Sequence, residues 1–98
     1  MIAVQTFDAR LTPARPDAAA SHLRGVIDVP RYLDPQACLV AVPVAPLRPR
    51  PQGEAAPDSE LLMGEGFVVY DREDGWAWGQ SELDGYVGYI ADAHVVPA

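Results

Sequence analysis

The stretch that most constrains this chain is Gly75-Trp-Ala-Trp-Gly-Gln-Ser-Glu-Leu-Asp-Gly-Tyr-Val-Gly-Tyr-Ile90. It holds both tryptophans and two of the four tyrosines, punctuated by glycines. The spacing predicts two short strands, 76–81 and 86–90, joined by a turn over Leu83-Asp84-Gly85. Asp-Gly between apolar runs is a hairpin signal, because glycine tolerates the positive φ that such turns need. Alternate residues of a strand share a face, so Trp76, Trp78 and Gln80 point one way and Ala77, Gly79 and Ser81 the other. The small set suits a crowded interior and leaves the indoles on the opposite side. Two readings of them stand. Exposed, they form an aromatic platform, since rings bury much area at little rotamer cost. Packed down, one of them plugs a barrel end or lies under the N-terminal part of the chain.

Residues 37–98 are β-rich throughout, and short strands with turn signals between them predict an all-β fold, a small barrel of five or six strands. Cys38–Val44 reads as one strand in which Pro43 marks an edge or a bulge. A Pro-rich loop follows over residues 47–58, then a strand at Phe67–Tyr70, and Asp71–Gly75 turns the chain into the tryptophan strand. Ala91–His94 has room for a single helical turn, and Val95-Val96 can close the sheet. Residues 1–36 form a separate N-terminal arm. Pro13 and Pro16 push the residues before them out of the helical region, so 7–13 is extended. Asp17 is placed as the N-cap of a short helix, Ala18–Arg24, with Gly25 at the C′ position. Such a helix is marginal alone and needs a surface, with Leu23 as its anchor. Val26–Val29 is a candidate short strand.

Charge and chemistry narrow the function. The net charge is −7, and all seven basic residues are arginine. An acidic domain repels phosphate backbones, so nucleic acid is not an expected partner. The single Cys38 excludes an intramolecular disulfide, and inside a β-branched apolar run it reads as a small core hydrophobe. His22 and His94 are far apart and lack a carboxylate or cysteine at ligand spacing, so both read as structural, with no metal and no cofactor expected. No run approaches the roughly 18 apolar residues of a membrane span. Met1-Ile-Ala-Val-Gln-Thr-Phe7 has no basic n-region and no long apolar h-region. The expected location is therefore cytoplasmic, or periplasmic if a leader precedes Met1.

The segment from about Cys38 to Pro97 resembles the SH3-like barrel, and within it the bacterial SH3 (SH3b) domain. Val42–Arg48 matches the first strand and its Leu-Arg ending, and the Pro-rich stretch matches the long loop after it. Gly75-Trp76 matches the opening of the central strand. Asp84-Gly-Tyr-Val-Gly-Tyr-Ile90 looks like the G-x-x-G-[WY]-[VI] hairpin, with the single turn at Ala91–His94 behind it. Asp8-Ala-Arg-Leu-Thr-Pro13 and the Ala-rich segment ending in His22-Leu-Arg-Gly25 resemble the N-terminal region of NlpC/p60 cysteine peptidases. That resemblance implies a papain-like catalytic domain in the same polypeptide, cleaving γ-D-glutamyl–diamino acid bonds of cell-wall peptides. The family's Asp-Cys-Ser/Gly nucleophile signature is absent here, so the chain itself is expected not to be an enzyme.

The candidate ligand-binding residues are Trp76, Trp78, His94, Asp74 and Asp84. In the SH3 family Trp76 takes the place of the groove tryptophan, but the neighbouring Pro and Tyr positions are Ala91 and His94. An aromatic slot for a polyproline II helix is then incomplete. Pro43-Val-Ala-Pro-Leu-Arg48 matches a P-x-x-P-x-R ligand pattern, yet it overlaps the first strand. Asp71, Glu73, Asp74, Glu82 and Asp84 flank the tryptophan strand in its two turns. Carboxylates beside aromatics suit a ligand with an amino group, such as a murein peptide; equally, turns favour Asp for backbone reasons. The expected role is to pack on the catalytic domain and help select muropeptides. The alternatives are a protein-interaction module using the Trp76/Trp78 face, or a domain that only docks on its enzyme.

Overall fold

The computed structural model describes residues 7–98. Of the segment Met1–Phe7 on which the absence of a leader was read, all but Phe7 lies outside them. The architecture is all-β, as the strand pattern predicts, with nine short strands in the described residues. β1 (Ala18–Ala20) and β2 (Arg31–Leu33) pair in parallel in the arm. The remaining strands are β3 (Gln36–Val40), β4 (Val44–Leu47), β5 (Ser59–Leu62), β6 (Gly66–Glu73), β7 (Trp76–Ser81), β8 (Val87–Ala91) and β9 (Val95–Pro97). Five of these make one antiparallel sheet in the order β8-β7-β6-β3-β9, and β4 pairs with β5. The backbone of Arg48, just past β4, exchanges two hydrogen bonds with Tyr89 of β8, each 2.8 Å. That bridge closes the two sheets into a small barrel.

Inward positions follow the alternation. Phe67, Val69, Ala77 and Ile90 of the large sheet meet Leu47, Leu61 and Ala45 of the small one, with Cys38 and Val40 beside them. Gly79 makes the closure possible. A Cβ there would stand 2.0 Å from the Val68 carbonyl oxygen and 2.9 Å from the Phe67 ring. The barrel wall passes that close because the side chain is missing.

The arm departs from its predicted form. No α-helix is present among the described residues. Ala18–Ala20 is extended and fully buried, and only Ser21–Leu23 makes a turn of 3-10 helix. A two-turn helix has too few hydrogen bonds to fix itself. Three alanines instead fit flat against neighbours, paired with Arg31–Leu33. Asp17 does not cap a helix; its carboxylate takes hydrogen bonds from Arg15 and Arg31. Gly25 does take the positive φ expected of it, 86°. Val26–Val29 is not a strand, and the extended segment falls later, at β2. Ala14, Ala19 and Ile27, with Leu23, Val29 and Tyr32 against them, form a second small core separate from that of the barrel.

Three further differences concern the barrel. The expected strand 38–44 is broken at Ala41–Pro43 into β3 and β4. Ser59–Leu62, between the Pro-rich loop and the strand expected at Phe67, is a strand of its own. β6 runs to Glu73, beyond the expected Tyr70, so the turn into β7 is only Asp74-Gly75. Both residues have positive φ, 52° and 84°, as a two-residue type I′ hairpin requires.

Candidate functional site

The outer face of β7 and β8 carries the site. Trp78 lies opposite Tyr89, and Trp76 opposite Ala91. Cross-strand partners share a face, so two indoles and a phenol line one side of the sheet. On the other flank β6 contributes acid. Continued alternation from Phe67 and Val69 would send Asp71 into the core. A β-bulge between Val69 and Asp71 inserts Tyr70 and shifts the register. Asp71 then pairs with Trp78 and Glu73 with Trp76, on the outer face.

The arm crosses this face. Arg10 O accepts the Val87 N–H at 2.7 Å, and Gln80 Nε2 donates to Leu11 O at 3.2 Å. Arg15 sits directly over Trp78, its guanidinium carbon 4.4 Å from the ring centroid. Its Nη2 donates to Asp71 Oδ2 at 2.7 Å, and Nε and Nη2 reach Asp17 at 3.1 Å. Burial works against the charge of Arg15, but the hydrogen bonds to Asp71 and Tyr89 outweigh it and its pKa is raised. Tyr70 and His22 extend the cover, with ring centroids 6.1 Å (Tyr70–Trp78) and 6.4 Å (His22–Tyr70) apart. Of the two readings of the indoles, Trp78 follows the second and is 3% exposed. Trp76 stays half-buried.

What remains open is a cleft of about 160 Å³. Its aromatic wall is Trp76, Trp78 and Tyr89; its acidic wall is Asp71, Glu73 and Asp74; Arg15 and Pro51 complete it. Three carboxylates face one guanidinium already spent on two of the chain's own acids. The cleft favours cations. A second cavity of about 250 Å³ lies between arm and barrel, with Phe7, Arg10 and Pro16 on one side and Val87 and Tyr89 on the other.

Of the residues singled out from sequence, Trp76, Trp78 and Asp74 come together in this cleft; Asp84 and His94 do not line it. Asp84 belongs to the turn at the far end of β7, roughly 17 Å away along a six-residue strand. Its carboxylate accepts the Tyr86 N–H and the Ser59 hydroxyl. This is the backbone role that turns give to Asp. His94 lies in a 3-10 turn after β8, where its carbonyl pairs with Ala41 and its Nδ1 is buried without a hydrogen-bond partner. Cys38 is buried in the core, as its apolar surroundings predict. Among the described residues no group of three or more His, Cys, Asp or Glu could hold a metal. No helix there is long and apolar enough to cross a membrane. Arg15 and Tyr89 were not singled out as ligand-binding positions, and Arg15 has no local motif that points to the cleft.

A family model for the bacterial dipeptidyl-peptidase SH3 domain matches residues 47–95, half of the chain. The chain belongs to that family. The match begins at the end of β4 and runs into β9, so it includes the β6–β7–β8 meander that carries the cleft. Comparison with curated proteins and with solved structures yields no match. As a bacterial peptidase SH3 domain, the chain is an accessory, non-catalytic unit whose family implies a catalytic partner domain.

Proposed function

We propose that this SH3 domain is the front end of an NlpC/p60-type cell-wall peptide hydrolase, packing on its catalytic domain and binding the amino end of the murein peptide. The observation that supports this reading is the cleft, in which Trp76 stands beside Asp71, Glu73 and Asp74. A protonated amine gains there from both carboxylates and the ring face. Pockets of this kind fix orientation with a few polar groups against an apolar wall. The domain then selects for peptides with a free amino terminus, and the catalytic domain supplies the cysteine and histidine.

The test is made in the parent polypeptide. Cleavage of L-Ala-γ-D-Glu-diaminopimelate is compared with that of its N-acetyl derivative, in the parent protein and in its Trp76→Ala and Asp74→Asn variants. The reading predicts that the free-amine preference falls in both variants while the catalytic rate on the acetylated peptide is unchanged. An unaltered preference would leave the cleft without a part in selection.

The docking-only alternative also has an observation in its favour. Arg15 caps Trp78, which leaves the aromatic wall of the cleft half-open at Trp76 and Tyr89. On that reading, removing the domain lowers the stability of the enzyme and leaves its selectivity intact.

A further inference from the structure

The 160 Å³ cleft and the 250 Å³ cavity share Arg15, Trp78 and Tyr89 in their walls. Trp78 and Tyr89 are cross-strand partners on the sheet, so they form a common floor under both spaces. Arg15 comes from the arm above and stands on that floor, 4.4 Å over the indole. We propose that Arg15 is the specificity-determining partition of a single groove, and that it limits the ligand to one whose chain ends at its amino group. This rests on the amine-binding reading of the cleft.

Several features hold the partition in place. Asp71 pins the guanidinium from the sheet side at 2.7 Å, and Asp17, itself held by Arg31, pins it from the arm side at 3.1 Å. The bulge at Tyr70 is what turns Asp71 outward to meet it. The cavity behind the partition has room but no amine-binding wall: among its described lining residues Asp58 is the one carboxylate, against Arg10 and Arg15. A peptide amine is therefore held on the acidic side of Arg15. Residues added beyond that amine run into the guanidinium. Removing the side chain joins the two spaces over the face of Trp78 and gives an extended peptide a path beneath the arm.

The first measurement needs no ligand. With Trp76→Phe as background, Trp78 is the one remaining tryptophan, and quenching of the indole emission by neutral acrylamide, with excitation chosen to bypass the tyrosines, reads its accessibility. Quenching is expected to rise several-fold on adding Arg15→Ala and to rise far less with Arg15→Met, which keeps the bulk over the ring. If near-ultraviolet circular dichroism shows Arg15→Ala to be unfolded, Asp71→Asn is read in its place, since it unpins the guanidinium without hollowing the arm. Unchanged quenching in the folded variant overturns the partition.

The second measurement is calorimetric titration with L-Ala-γ-D-Glu-diaminopimelate and with the same peptide extended by an N-terminal glycine. The unsubstituted domain is expected to bind the extended peptide at least roughly tenfold more weakly, and Arg15→Ala to abolish that difference. Equal binding of both peptides by the unsubstituted domain also overturns the proposal. Binding of neither peptide removes the amine reading and with it the length limit, while quenching still decides whether Arg15 separates the two spaces.

Discussion

Trp76 and Trp78 share one face of one strand, yet their surroundings give them opposite jobs. Trp78 is sealed between the sheet and Arg15, so Trp78→Ala is expected to cost about 3–5 kcal/mol, the range for truncating a buried aromatic. Trp76→Ala is expected to cost less than about 1 kcal/mol in stability, since its ring is half in water. Urea denaturation of the two variants checks the contrast. Tyr70 gives a pH test. Burial disfavours its phenolate and raises its pKa above the ordinary 10.0. Its contribution to stability is therefore complete below pH 10 and is lost as pH rises through the higher folded-state value. Tyr70→Phe should flatten the decline in melting temperature above pH 10, and an unchanged alkaline slope would contradict that burial.

At this scale the face of each indole was legible from period two alone. The burial of Trp78 was not, because the residue that covers it lies more than sixty positions earlier in the chain. Asp84 shows the opposite error: its closeness in sequence to the tryptophans suggested a shared rim, whereas the length of β7 separates them.

At the level of elements, the β6–β7 hairpin sets the geometry of the cleft. Its turn residues Asp74 and Gly75 both need the left-handed region. Gly75→Val should cost about 1–2 kcal/mol through its φ of 84°. Asp74→Gly should be close to neutral for folding, since φ is 52° there, while weakening the cleft. Thermal melts of the pair separate turn strain from lost charge. A turn was readable only as the wider span Asp71–Gly75, and the bulge at Tyr70 was not readable at all, though it alone decides that Asp71 faces Trp78. Nor did the Ala-rich segment announce its strand. Alanine is the best helix former, and only tertiary burial on all sides overrides that preference at Ala18–Ala20.

The same elements protect the barrel's edges. Arg10 and Arg48 occupy the outer backbone groups of β8. At the other edge Val95 gives its N–H to Asp92, and Pro97 has none to give. Strand addition to β9 therefore finds no donor at either residue, an arrangement that discourages edge-to-edge association.

Over the whole molecule, two small cores meet across one sheet face, and the cleft opens where the arm stops covering it. The net charge of −7 adds a long-range pull on cations that salt screens over about 8 Å at physiological ionic strength. Association of a simple cationic amine with the cleft should therefore weaken as salt rises, whereas a ligand held only by the aromatic wall would be indifferent to it. The most direct measurement is titration of this domain alone with L-Ala-γ-D-Glu-diaminopimelate, followed by tryptophan fluorescence. A saturable shift that disappears when the peptide is N-acetylated, or when Trp76 is replaced, is the predicted result. An emission spectrum unmoved up to millimolar peptide would contradict it.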